Sequence, residues 1–127
     1  MDFPALVTVL ALLLYAATGF RVGQMRARHN VMAPSVSGPP EFERAFRVQQ
    51  NTLEQIVLFI PALWLFAFLV SPNWAGAIGL VWIGGRICYG SSYLRDPQKR
   101  GPGFLVAFGA AAVLLVGALV GAIVKLF

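Results

Sequence analysis

Three long stretches of the chain carry no charged residue. They run from Phe3 to Phe20, from Gln55 to Gly85 and from Gly101 to Val124. A hydrocarbon core about 30 Å thick is crossed by about 20 apolar residues of helix. The middle stretch is too long for one crossing and holds one break, Ser71-Pro72-Asn73, which is turn chemistry. Divided there, the chain is predicted to be an all-α integral membrane protein, a single domain of four transmembrane helices over about 3–20, 53–70, 74–93 and 103–124. A soluble helical bundle needs polar outer faces at helical spacing. Ile56–Val70 and Leu114–Val124 offer none. A cleaved signal peptide needs basic residues ahead of its apolar run. Here only Asp2 precedes the first run, and Arg21 follows it.

Composition agrees. Of 127 residues, 58% are hydrophobic and 12% charged, against about 25% charged in soluble domains. That apolar mass excludes disorder. A single cysteine, Cys88, excludes a disulfide scaffold, and it reads as a packing residue. No metal-ligand pattern, phosphate loop or nucleophile triad is present.

The formal charge of +5 first suggests an acidic partner such as nucleic acid. Its placement says otherwise. Eight of the ten cations lie in two connections, 21–50 and 94–102, and none lies in the third. By the positive-inside rule those two connections are cytoplasmic and both termini lie on the opposite side. The charge is a topology signal, and no nucleic acid is expected.

Helix 1 is predicted to continue to about His29, before a loop marked by Pro34, Gly38, Pro39 and Pro40. Helix 2 restarts at about Glu41, with acids where the helix dipole favours them. Pro61 lies inside it and is expected to kink it. Helix 3 has five spaced glycines, and helix 4 has Gly117 and Gly121, which predicts close helix approach.

Polar residues at membrane depth are candidates for function. Arg47, Asn51 and Glu54 fall on one face of helix 2 at i, i+4 and i+7. Arg86, Tyr89 and Tyr93 fall on one face of helix 3. The helices run antiparallel, and Arg86 lies roughly 10 Å below Tyr93, so the clusters share a depth near one membrane surface. An internal Glu54–Arg86 salt bridge with an interfacial tyrosine belt is one reading. It leaves Arg47, Gln49, Asn51, Tyr89 and Tyr93 unexplained. Arginine takes carboxylates bidentately, Asn and Gln pair with amides, and an acid holds an ammonium group. A small zwitterionic peptide meets that description.

The run Gly38-Pro39-Pro40-Glu41-Phe42-Glu43-Arg44-Ala45-Phe46-Arg47-Val48-Gln49-Gln50-Asn51-Thr52-Leu53-Glu54 resembles the signature of the MAPEG proteins, the membrane-associated proteins of eicosanoid and glutathione metabolism. It is most similar to the branch with type-2 microsomal glutathione transferase and leukotriene-C synthase. Gly79-Leu80-Val81-Trp82 through Arg86, Tyr89 and Tyr93 also matches, as does the order of four spans. The resemblance implies a homotrimer with glutathione, the co-substrate, held between neighbouring subunits. It implies glutathione contacts at Arg26, Arg47, Gln49, Asn51, Glu54, Tyr89 and Tyr93. Arg100 matches the arginine that stabilises the thiolate, and Arg86 an internal polar partner near the thiol end and the second choice for that role. The second substrate is then a lipophilic electrophile or lipid hydroperoxide entering from the membrane lipid. Two departures stand out. Gln55 replaces an aromatic residue, and Ala27 replaces a second functional arginine of leukotriene synthesis, which weakens that specific activity. A non-catalytic lipid-binding scaffold of the same fold is the alternative. A multidrug or ion transporter needs midplane charges on several helices, and helices 1 and 4 have none in their cores.

Overall fold

The computed structural model describes residues 1–127 as four long helices and one short turn of 3-10 helix. The helices are α1 (Asp2–His29), α2 (Pro40–Leu69), α3 (Pro72–Arg95) and α4 (Gly101–Leu126), and Pro97–Arg100 forms the 3-10 turn. The predicted continuation of helix 1 to His29 is observed. There Asn30 takes a left-handed conformation and its N–H reaches Arg26 O, a standard way to close a helix. The break at Ser71-Pro72-Asn73 is also observed. Ser71 Oγ accepts from the backbone N–H of Trp74, and Pro72 occupies the first turn, where its missing N–H costs nothing. Pro61 lies within α2.

α1, α2 and α4 are each long and apolar enough to cross a membrane. α3 is not among these three, and its one charged residue in the span, Arg86, turns inward and is only 2% exposed. α2 and α3 form the centre. α1 packs on one side of them and α4 on the other. The core centres on a parallel stack of Phe59 against Trp82, with ring centroids 3.9 Å apart. Ala62, Leu63, Phe66, Ala107, Ala111 and Leu114 surround it. Trp64 Nε1 donates to Thr8 Oγ1 at 2.9 Å and ties α2 to α1. Large apolar residues cover much of the outside, such as Leu13 on α1 and Leu105, Val116 and Leu119 on α4.

The glycines act at helix contacts. A Cβ on Gly85 would stand 2.7 Å from the backbone nitrogen of Ala107, and one on Gly103 would meet the backbone of Tyr89. These two positions set how closely α3 and α4 approach, and so where the start of α4 lies beside Tyr89 and Tyr93. On α4, Gly117 receives the ring of Phe66 and Gly121 receives Leu69. Gly103→Leu should therefore force α3 and α4 apart. Overpacking of this kind costs about 1–3 kcal/mol. A thermal scan in detergent should show a lowered midpoint for Gly103→Leu. Gly84→Ala should show none, since nothing lies within 4 Å of a Cβ there. An unchanged midpoint for Gly103→Leu contradicts this packing.

All three ion pairs of the chain converge on Glu41. Arg28 lies at 3.1 Å, His29 at 3.2 Å and Arg21 at 3.8 Å. The pairs fasten the end of α1 to the start of α2. Exposed pairs of this type stabilise little. The fastening is completed by Arg26, whose Nη1 donates to Ser35 O at 2.8 Å and whose guanidinium sits 5.1 Å from the Phe42 ring centre.

Candidate functional site

A cavity of about 680 Å³ opens at the end of the bundle where α2, α3 and the start of α4 meet. From α2 it is lined by Arg47, Asn51 and Glu54, from α3 by Tyr89 and Tyr93, and from the 3-10 turn ahead of α4 by Arg100. Helical repeat places the α2 group. Glu43, Arg47, Gln50 and Glu54 recur every three to four residues along one face and all line the cavity. Val36 and Ser37 of the α1–α2 loop and Phe46 complete the wall. The two tyrosines stack with ring centroids 5.7 Å apart. Arg100 is held to the site by its place on the 3-10 turn. Its Nη1 donates to Pro97 O at 3.4 Å, and its guanidinium lies 6.0 Å from the Tyr93 ring centre.

Arg86 stands behind this wall. Its Nη1 donates to Asn51 Oδ1 and its Nη2 to Thr52 Oγ1, both at 2.8 Å. Thr52 Oγ1 in turn donates to Val48 O at 2.7 Å. The guanidinium also covers the Tyr89 ring, 4.3 Å from its centre. The planar fork of arginine suits two acceptors on adjacent residues. With its oxygen committed to Arg86, Asn51 has two N–H donors left to offer the cavity.

Six of the nine residues singled out from the sequence thus line one cavity: Arg47, Asn51, Glu54, Tyr89, Tyr93 and Arg100. Three do not. Arg86 holds Asn51 from behind and does not line the cavity, because both terminal nitrogens are turned to α2. Arg26 clamps the α1–α2 loop, and Gln49 reaches toward Gly19 on α1. No residue of α1 lines the cavity, because α1 packs on the opposite side of α2 and α3 from α4. The Glu54–Arg86 salt bridge is not formed. Glu54 is exposed on the cavity wall, and the acceptors for Arg86 are neutral.

Sequence reasoning passed over Thr52 and Glu43. Thr52 had a signal, a hydroxyl on the buried stripe one residue from Asn51. Glu43 had one too, being one turn ahead of Arg47. Val36 and Ser37 had none, since they reach the site only through the loop.

The cavity holds both signs of charge at close quarters. Arg47 and Arg100 are cationic, and Glu43 and Glu54 are anionic. Donors of amide type and aromatic faces lie between them. No group of three or more His, Cys, Asp or Glu could hold a metal ion. The arrangement can orient a small molecule with separate carboxylate and ammonium groups, and can place a cation beside a third, anionic centre.

Comparison with known proteins agrees in extent and kind. The model of the MAPEG family matches residues 4–120. An uncharacterized protein of Synechocystis sp. is 45% identical over 92% of this chain and 85% of that protein. Microsomal glutathione S-transferase 2 of Homo sapiens is 39% identical over 91% of this chain and 79% of its own length. Leukotriene C4 synthase of Cavia porcellus is 38% identical over 76% of this chain and 64% of its own length. With the family match running through all four helices, the chain belongs to the MAPEG family.

Proposed function

We propose that the protein is a membrane-bound glutathione transferase that activates the glutathione thiol for attack on lipophilic electrophiles. One observation carries the reading. A single cavity brings together two cations, two carboxylates, an amide with free donors and a tyrosine pair. Glutathione presents two carboxylates, one ammonium, two amides and a thiol. Arg47 takes a carboxylate, Glu54 or Glu43 the ammonium, and Asn51 an amide carbonyl. The names of the relatives, a glutathione S-transferase and a leukotriene synthase, support the same reading.

The thiol is the reacting group. A free thiol has a pKa near 8.5 and is only a few per cent thiolate at neutral pH. Arg100 stabilises the anion and lowers that pKa. The sulfur then attacks an electrophilic carbon. A C–S bond forms and the leaving group departs as an anion. With a lipid hydroperoxide the sulfur attacks the terminal oxygen and the O–O bond breaks. The alkoxide takes a proton, and a second glutathione converts the sulfenic acid to disulfide and water.

All four helices span the membrane in this reading, α3 with Arg86 turned inward and with Val81 and Ile87 facing lipid. Connections 21–50 and 94–102 lie on the cytoplasmic side, so glutathione enters from the cytoplasm. Three copies assemble around shared cavities. Arg26 and Gln49, on the α1 side of one subunit, then face a neighbour's cavity and complete its glutathione site. The apolar groove between subunits admits the electrophile from the bilayer. Ala27 stands against a specific leukotriene synthase, while Arg47, Asn51, Glu54, Tyr93 and Arg100 together favour an enzyme over a scaffold.

Purified protein in detergent should bind glutathione and conjugate it to chlorodinitrobenzene, releasing chloride. Its mass in detergent should be that of three subunits. Absence of both glutathione binding and conjugation overturns the proposal.

A further inference from the structure

A second cavity, of about 270 Å³, lies on the other side of α2, in the groove between α1 and α3. Leu14, Val48 and Ile87 supply apolar walls, and Thr18 and Ser91 supply hydroxyls. Its charged residues are Arg21 and Arg86, and no acidic side chain lines it. Arg86 is the telling member. It is 2% exposed, and its Nε is buried with no hydrogen-bond partner. Neither of its other two nitrogens meets a carboxylate. A buried cation without a counter-ion is costly, and so is a buried donor left unpaired. Arg21 has one weak contact with a carboxylate, Glu41 at 3.8 Å, outside the cavity. Ile87 and Ser91 are exposed, so the groove opens sideways.

We propose that this second cavity binds an apolar carboxylate, a single acyl chain whose acid group accepts from Arg86 Nε with Arg21 as the second cation. The charge requires an anion, and the walls require an apolar body. The volume falls just below the range of about 300–1,000 Å³ usual for ligand sites, which fits one short chain and not a two-chain lipid. The site is separate from the glutathione cavity but shares Arg86 with it, since that residue also holds Asn51.

The test uses the full-length protein in nanodiscs and a medium-chain fatty acid carrying a terminal diazirine. Illumination should label peptides of α1 near Leu14 and of α3 near Ile87, and excess decanoate should reduce that labelling at least tenfold. Glutathione should not compete. Ser91→Leu fills the groove from its exposed edge and should abolish the decanoate-sensitive labelling. Conjugation of glutathione is measured on the same samples, where Ser91→Leu should leave it unchanged. A parallel sample with diazirine-bearing phosphatidylglycerol should label lipid-facing residues evenly. Even labelling by the fatty acid, or labelling insensitive to Ser91→Leu, overturns the proposal. Selective labelling of the groove by the phospholipid assigns the site to a membrane lipid and overturns the single-chain acid. Each result stands whether or not glutathione turnover is found.

Discussion

Arg100→Ala should lower the turnover of glutathione conjugation by about 10²–10³-fold, the loss typical when one donor to a developing or bound anion is removed. The effect should fall on kcat, with glutathione affinity changing far less. Arg47, Asn51 and Glu54 remain to hold the peptide, and they lie on a different helix from Arg100. The pH profile gives a second readout. A cation beside the thiol favours the anion, so it lowers the pKa of the bound thiol. The rate of the wild type should therefore rise with pH through an apparent pKa below about 8.5 and then level off. In Arg100→Ala the rise should move up toward about 8.5. Each unit of that movement is about 1.4 kcal/mol of lost preference for the thiolate. An unmoved profile with full turnover refutes the role assigned to Arg100.

Arg86→Leu should produce the opposite division, a raised KM for glutathione with kcat largely kept. The leucine removes the donors to Asn51 Oδ1 and Thr52 Oγ1. Hydrogen bonds from a charged group contribute about 1.5–3 kcal/mol each. If the bond to Asn51 is the one that fixes its amide, its loss converts to about a ten- to hundredfold rise in KM, at about 1.4 kcal/mol per tenfold. Thr52 keeps its own bond to Val48 O and can stay in place. Arg86→Lys should recover little, because an ammonium cannot reproduce a planar fork onto two acceptors. A merely structural role for Arg86 predicts instead lost stability with an unchanged KM in the fraction that remains folded. Steady-state kinetics on thermally matched samples separate the two.

Much of the fold was legible because the physics behind it is one-dimensional. Helix lengths and the break at Ser71-Pro72-Asn73 follow from runs of apolar residues and turn chemistry, and the structure places α1 to His29 and α3 from Pro72. The α2 face of the cavity was legible for the same reason. Arg47, Asn51 and Glu54 share a face by helical repeat alone. What periodicity does not carry is the neighbour each face meets. Arg86 falls on the same face of α3 as Tyr89 and Tyr93, yet its long side chain turns to α2 and ends on Asn51 and Thr52. Spacing allowed Glu54 as its partner, and the structure gives it two neutral acceptors instead. Arg26 and Gln49 show the other limit. Within one chain they belong to the α1 side, away from the cavity. In the trimer proposed above a neighbour's cavity would receive them, and helical spacing in one sequence says nothing of a neighbour's position. The second cavity was invisible for a similar reason, since its wall draws on three helices and on the unused nitrogen of a residue already assigned elsewhere.

Glutathione bound in this cavity should be held as its thiolate, a state that the ultraviolet absorbance of the thiolate reports. Addition of glutathione to the purified protein at neutral pH should produce a saturable thiolate band with release of a proton, and the band should disappear when an S-alkyl glutathione is added in excess. In Arg100→Ala the same glutathione should bind without the band. A protein that binds no glutathione, or that binds it wholly as the neutral thiol, contradicts the account.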